Sequence, residues 1–128
     1  MKPFVIAIVA AALPSTEAVA APACAPEDNV ALCELAGATL ADNPPFAQLR
    51  SEAPDGAAAR ATRHRERREL ARSILNEAQA PNWRDLYRAG YVIGYGETRE
   101  ERLLAMAIAI RALSLAPDEP DVRFLVWR

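Results

Sequence analysis

The stretch NWRDLYRAGYVIGYGETREERLLAMAIAIRALSL, residues 82–115, decides the fold. Asn82 with Asp85 three places later forms an approximate capping box, the signature of a helix N-terminus. Trp83, Leu86, Tyr87, Ala89, Gly90 and Ile93 then recur at helical spacing until Gly94-Tyr95-Gly96 stops the run. Thr98 with Glu101 is a cleaner capping box and opens a second helix through Leu115. The apolar positions of that helix, Leu103 to Ile110 with Ala112, Leu113 and Leu115, cover most of its circumference. A helix apolar nearly all round is expected to be buried between neighbours.

Downstream, Asp118-Glu119-Pro120-Asp121 caps a last segment, Val122 to Arg128, carrying Phe124, Leu125, Val126 and Trp127. It stops after barely two turns on large apolar side chains, which reads as a C-terminally truncated chain. Upstream, Ala57 to Ala80 reads as a helix with Asp55 as N-cap and Pro81 as terminator. Its core stripe is Leu70, Ala71, Ile74, Leu75 and Ala78. Residues 46–56 read as a loop. A first helix over Glu27 to Ala41 carries Val30, Leu32, Cys33, Leu35 and Leu40; Gly37 and Thr39 weaken it, and Asp42-Asn43-Pro44-Pro45 ends it. No segment reads as a strand. The expected fold is therefore all-α, a small domain of four to five helices built around an antiparallel helix hairpin.

Composition agrees with that class. The chain has 128 residues, 52% apolar, 25% charged and 6% aromatic, with net charge −2, which excludes disordered, collagenous and multi-spanning membrane proteins. The N-terminus reads as a signal peptide over residues 1–20. Lys2 is the positive n-region, Phe4 to Leu13 the apolar run, and Ala18-Val19-Ala20 the small-residue motif before cleavage near Ala20-Ala21. Ten apolar residues fall short of the roughly 20 that a membrane span needs. An uncleaved anchor, or a lipoprotein acylated at Cys24, are the alternatives. The reading that follows is export, to the periplasm or outside. The organisation is 1–20 signal peptide, 21–56 N-terminal segment with a short helix, and 57–128 helical domain.

The only cysteines are Cys24 and Cys33. In an oxidising compartment a pair nine positions apart closes a small loop, worth roughly 2–3 kcal/mol. In one straight helix the two would lie more than about 10 Å apart, so a disulfide requires Cys24 to fold back from an extended lead-in. The spacing is not that of a Cys-x-x-Cys redox pair, and the pair lacks companions for a metal site.

Two resemblances start at Trp83. Leu86, Ala89, Gly90 and Ile93, then Ala105, Ala109, Ala112 and Pro117, resemble one tetratricopeptide helix hairpin, with small residues where the paired helices approach. The chain departs from that pattern by about three extra residues in the turn, Tyr95 to Thr98, and by having a single copy where a solenoid needs about three. Residues Asp85-Leu86-Tyr87-Arg88-Ala89-Gly90, Gly96-Glu97-Thr98, Leu103-Leu104-Ala105 and Val122-Arg123-Phe124 are similar to an uncharacterised bacterial family of all-helical domains. That likeness spans about residues 60–128. The family usually has Gln-His-Gly where this chain has Gly94-Tyr95-Gly96, and continues into Asp-Arg and Gly-Thr-Gln motifs that this chain lacks. It implies a helical domain and no activity.

One charge cluster stands out: Arg60, Arg63, His64, Arg65, Arg67, Arg68 and Arg72. Residues 56–72 hold six Arg and two Glu, a net +4, against −5 over residues 24–55. Three readings compete: a solvated helix face, docking onto the acidic N-terminal segment, and binding of an external anion or acidic partner. The core stripe continued backwards lands on Arg67, His64, Arg63 and Arg60, where arginine is costly unless paired. Nucleic acid is disfavoured by export, net charge and the lack of interleaved aromatics. His64, the single histidine, has no second ligand for zinc and no nucleophile to serve. Glu100-Glu101 and Asp118-Glu119-Asp121 complement helix N-termini. Trp83, Tyr87, Tyr91 and Tyr95 recur every four residues, a stripe that is either core seam or ligand groove. Gly94-Tyr95-Gly96 lacks the strand–turn–helix setting of a nucleotide loop.

The expectation is a non-enzymatic interaction or structural module with no catalytic residue, no metal and no cofactor, taking a protein or peptide partner. Its contact residues would be Arg63, His64, Arg67, Arg68, Trp83, Tyr87 and Tyr91. The alternatives are a fragment of an enzyme whose catalytic part lies elsewhere, and attachment to the envelope surface through the arginine helix, membrane phosphates being its anionic partner.

Overall fold

A computed structural model describes residues 23–43 and 54–127. The expected signal peptide, residues 1–20, and most of the expected 46–56 loop lie outside the described residues. Five helices follow in order, with no strand among the described residues: α1 Val30–Ala41, α2 Pro54–Glu77, α3 Trp83–Ile93, α4 Arg99–Leu115 and α5 Pro120–Trp127. The domain is all-α, as its periodicity requires.

α3 is the central element, touching each of the other four helices. Its neighbour across the 94–98 turn, α4, makes the most extensive of these contacts. α3 buries Leu86, Ala89, Val92 and Ile93, which meet Leu32 and Ala36 of α1, Ala71 of α2, Ala105, Ile108 and Ala112 of α4, and Val122 of α5. Each fully buried Leu, Ile or Val contributes roughly 1.5–3 kcal/mol. Where α3 and α4 meet, small residues let the backbones approach. A Cβ on Gly90 would sit 3.3 Å from Leu125 Cδ2 and 3.5 Å from Ile108 Cγ2.

Several boundaries differ from the sequence reading. α1 starts at Val30, where Glu27 was expected, because Asn29 is the N-cap: its side chain accepts the Leu32 N–H at 3.1 Å. Asp28 is thereby freed for a different role. α2 begins at Pro54, so Asp55 lies inside the helix and is not its cap. Proline belongs in a first helical turn, where its missing N–H costs nothing. α5 likewise starts at Pro120, two residues ahead of Val122. α1 packs on α2 and α3, so the N-terminal segment shares the core of the 57–128 region.

The largest correction concerns α4. Only Ala105, Ile108, Ala109 and Ala112 are buried, while Leu103, Met106, Ile110 and Leu115 are half-exposed. Apolar periodicity specified the circumference; the neighbours cover only one side of it. Phe124 of α5 is also largely exposed.

Thr98 and Glu101 form the expected capping box. The Thr98 hydroxyl accepts the Glu101 N–H at 3.1 Å, and Glu101 Oε2 accepts the Thr98 N–H at 3.1 Å and the Glu97 N–H at 2.8 Å. Only half of the Asn82–Asp85 box forms. Asn82 accepts the Asp85 N–H at 2.9 Å, but Asp85 turns its carboxylate to the Asn29 N–H, also at 2.9 Å, tying the start of α3 to the start of α1.

Candidate functional site

The described residues hold three polar or concave features, and each is set by a different part of the chain. The first is a clip at the N-terminal segment. Cys24 and Cys33 are joined in a disulfide, with Cα atoms 6.0 Å apart, as the fold-back geometry demanded. The loop they close presents Asp28, whose side chain is fully buried. Asp28 Oδ2 accepts from Arg88 Nη1 at 2.9 Å and from the Ala25 N–H at 2.9 Å. Its Oδ1 accepts from Arg84 Nε at 2.8 Å and Asn82 Nδ2 at 2.9 Å. Arg88 is equally buried; it also donates to the Ala23 carbonyl at 3.1 Å and lies 3.7 Å from Asp85. Burial alone would raise the Asp28 pKa, but the Ala25 N–H, Arg88, Arg84 and Asn82 outweigh it and hold the carboxyl well below its ordinary value. The two sulfurs and the Asp28 carboxylate cluster within 4.8 Å, a metal-like grouping. Its donors are already committed, the sulfurs to each other and the carboxylate to two guanidinium groups.

The second feature gathers the arginine cluster. Arg63 grips Asp42 with two hydrogen bonds, 2.9 and 3.0 Å, and Arg67 Nη2 lies 2.6 Å from the same carboxylate. The bond from Arg63 is the main reason that Asp42 is held far below the usual carboxylate range; burial opposes it and Arg67 adds to it. Arg68, nearly fully buried, donates to the Tyr95 carbonyl at 2.9 Å and to Glu101 Oε1 at 3.2 Å, pinning α2 to the 94–98 turn. The Glu101 carboxyl is lowered chiefly by the Thr98 N–H, against a smaller opposing effect of burial, with Glu97 N–H and Arg68 assisting. His64 is buried and stacks on Tyr95, ring centroids 4.8 Å apart and planes 6° from parallel. Burial, reinforced by the charge of Arg67, pushes its pKa below 6.5.

The aromatic stripe does not stay together. Tyr95 lies beyond the end of α3, so it leaves the four-residue register and turns toward α2. Its hydroxyl accepts from Asn43 Nδ2 and donates to the Tyr91 hydroxyl at 3.3 Å. Trp83 sits beneath the Arg84 guanidinium, 5.5 Å from the ring centroid, while Tyr87 and Tyr91 are half-buried against the core. Of the residues expected to contact a partner, the structure thus brings Arg63, His64, Arg67 and Arg68 together on intramolecular partners. Trp83 and Tyr87 remain apart from them, and Tyr91 joins through Tyr95. Arg67 Nη1 is buried without a hydrogen-bond partner beside a cavity of about 310 Å³ lined by Leu35, Arg63, Glu66 and Leu70.

The third feature, unread in the sequence, is a groove of about 360 Å³ where α3, α4 and α5 meet. Gly90, Tyr91 and Gly94 line it from α3 and its C-terminal end, Ala105 and Met106 from α4, and Leu125 and Val126 from α5. Arg102 is the one charged side chain lining it. That guanidinium donates Nη1 to the Glu97 carbonyl at 3.1 Å, and the residue is exposed. The volume falls in the range of small ligand pockets, roughly 300–1,000 Å³. Such a surface can take up a large apolar side chain and hold a neighbouring carboxylate at its mouth.

Asp28, Arg84 and Arg88 were also missed. Arg88 lies one helical turn before the buried Val92, a charged residue beside an apolar one on the same face, and that was the available signal. Comparison with known proteins gives no family profile that matches the chain, and no curated protein or solved structure matches it.

Proposed function

We propose that this chain is an exported, non-enzymatic helical module that binds an apolar peptide or protein segment in the α3–α4–α5 groove. A carboxylate of that segment pairs with Arg102. The groove carries this reading: its walls are apolar, it is open, and a single guanidinium with spare donors marks its rim. Outside it, the strongest charged groups, Asp28, Arg88, Asp42, Arg67, Arg68 and Glu101, are turned onto one another and serve to hold helices together. Tyr91 is the expected contact residue that lines the groove.

Export rests on the leader-like residues 1–20 together with the closed Cys24–Cys33 pair, since disulfides persist in oxidising compartments. Among the described residues no helix is long and apolar enough to cross a membrane. The likeness to an all-helical bacterial family, and to a single tetratricopeptide hairpin over α3 and α4, is compatible with a binding role and adds no activity to it.

Selection from a displayed peptide library tests the proposal. The selected peptides should carry a large apolar residue beside Asp or Glu. Their affinity should fall at least about tenfold, or 1.4 kcal/mol, on Arg102→Glu and on Met106→Glu, both exposed positions that leave the core intact. Arg63→Gln should leave it unchanged. Selection of no peptide, or binding indifferent to both groove variants, refutes the proposal.

A further inference from the structure

The side of α4 turned away from the α3 packing surface carries a second pattern. Leu103, Leu104 and Ile110 are 52%, 36% and 51% exposed there, with exposed Ala107 between them. At one end of this stripe stands Glu100 and at the other Arg111, both exposed. Among the described residues neither has an ion pair or a side-chain hydrogen bond. Eleven residues make about three helical turns, so the two charges lie on nearly one line, roughly 16 Å apart. The stripe between them is apolar.

We propose that this face pairs with a second copy of the same chain, the two α4 helices lying antiparallel about a two-fold axis. A surface with opposite charges at its two ends is its own complement when turned end over end. In the register that sets Glu100 against the second copy's Arg111, the reciprocal pair forms at the far end. In the same register Leu104 faces the second copy's Ala107, a large residue over a small one, so the helices can approach closely. A parallel arrangement would instead set Glu100 against Glu100 and Arg111 against Arg111. The symmetry is that of an isologous dimer, in which one patch serves both subunits. An unrelated apolar partner would satisfy the leucines but would have no reason to match both charges at this separation. Exposed ion pairs add little affinity, so the charges fix orientation while the apolar stripe supplies attraction. The contact is confined to one helix face, well short of the roughly 800 Å² per partner of a standard interface unless its flanks join in, so a weak dimer is expected. The groove, bounded by Gly90 and Tyr91 of α3, lies on another side of α4 and stays open in the dimer.

Sedimentation velocity on the purified chain, from about 1 to about 500 µM, tests this. The expected result is a concentration-dependent monomer–dimer equilibrium. Glu100→Arg alone and Arg111→Glu alone should each weaken it by at least about fivefold, with unchanged circular dichroism. The double exchange Glu100→Arg/Arg111→Glu should return the dissociation constant to within about twofold of the original. A chain that stays monomeric throughout overturns the proposal. So does a dimer indifferent to the single reversals, or one that the double exchange fails to restore.

Discussion

Replacing Asp28 with alanine removes the hydrogen-bonded counter-ion of a buried guanidinium and leaves it only the more distant Asp85 carboxylate, 3.7 Å away. Arg88 is 1% exposed and sits between α3 and the disulfide loop, with Asp28 receiving its charge at 2.9 Å. Stripping one partner from a buried ion pair leaves an uncompensated buried charge, which costs about 3–5 kcal/mol. The same substitution orphans Arg84 Nε and Asn82 Nδ2, each of which donates to Asp28. For a domain of about 100 residues, each kcal/mol shifts the melting temperature by roughly 4–8 °C. The Asp28→Ala protein should therefore melt at least about 12 °C lower, followed by far-UV circular dichroism. Asp28→Asn keeps one acceptor oxygen and loses the charge, so it should fall between. Asp28→Ala combined with Arg88→Met removes charge from both sides and should recover at least about half of the loss, since contacting residues are non-additive. A loss under about 1 kcal/mol for Asp28→Ala, or a double variant less stable than the single, would refute the claim that this pair anchors the N-terminal segment.

Three further outcomes follow from the same contacts. Reducing Cys24–Cys33 should lower stability by roughly 2–3 kcal/mol in the chain-entropy picture, read as a shift of the urea midpoint; an unchanged midpoint would mean that the ion-pair clip holds the segment alone. Acid should destabilise in two stages: His64 is held below 6.5 when folded, so the unfolded chain takes up its proton first and stability falls as pH drops through about 6.5. Asp28, Asp42 and Glu101 are all held low, so their contribution is complete above about pH 4 and is lost below it. Urea midpoints across that range should show both declines, and His64→Gln should remove only the first; a rise in stability on acidification would contradict the assignments. Gly96→Ala should destabilise by about 1–3 kcal/mol, because the added Cβ would lie 2.4 Å from Glu101 Cβ and displace the carboxylate that caps α4 and holds Arg68. A thermal melt matching the unsubstituted chain would show that the turn gives way freely.

What the sequence disclosed was local. The Thr98–Glu101 box is complete within four residues, and the stop at Gly94-Tyr95-Gly96 needs no tertiary information, whereas α2 ends at Glu77, three residues short of the Ala80 that Pro81 was expected to terminate. The backward extension of the Leu70–Leu75 stripe correctly turned His64 inward, but Leu70 itself and Arg63 are exposed, and the buried Arg68 lay outside that extension. The counter-charges of the arginines were invisible, because Asp42 and Glu101 reach α2 from separate segments. Asp28 and Arg88 are 60 positions apart, and no periodicity links them. α4 shows the opposite limit: its apolar circumference was plain in the sequence, but which side its neighbours would leave open depends on how few helices surround it. The groove was unreadable for the same reason, since Gly90, Met106 and Leu125 become neighbours only when three helices meet.

The most direct test of the binding proposal is a methyl-resolved NMR titration with a peptide from the library selection. Chemical-shift changes are predicted at Met106, Leu125 and Val126, saturating together, with the Arg63–Arg67 face unmoved. Shifts concentrated around Arg63, Arg67 and Leu70, with the groove methyls silent, would contradict the account.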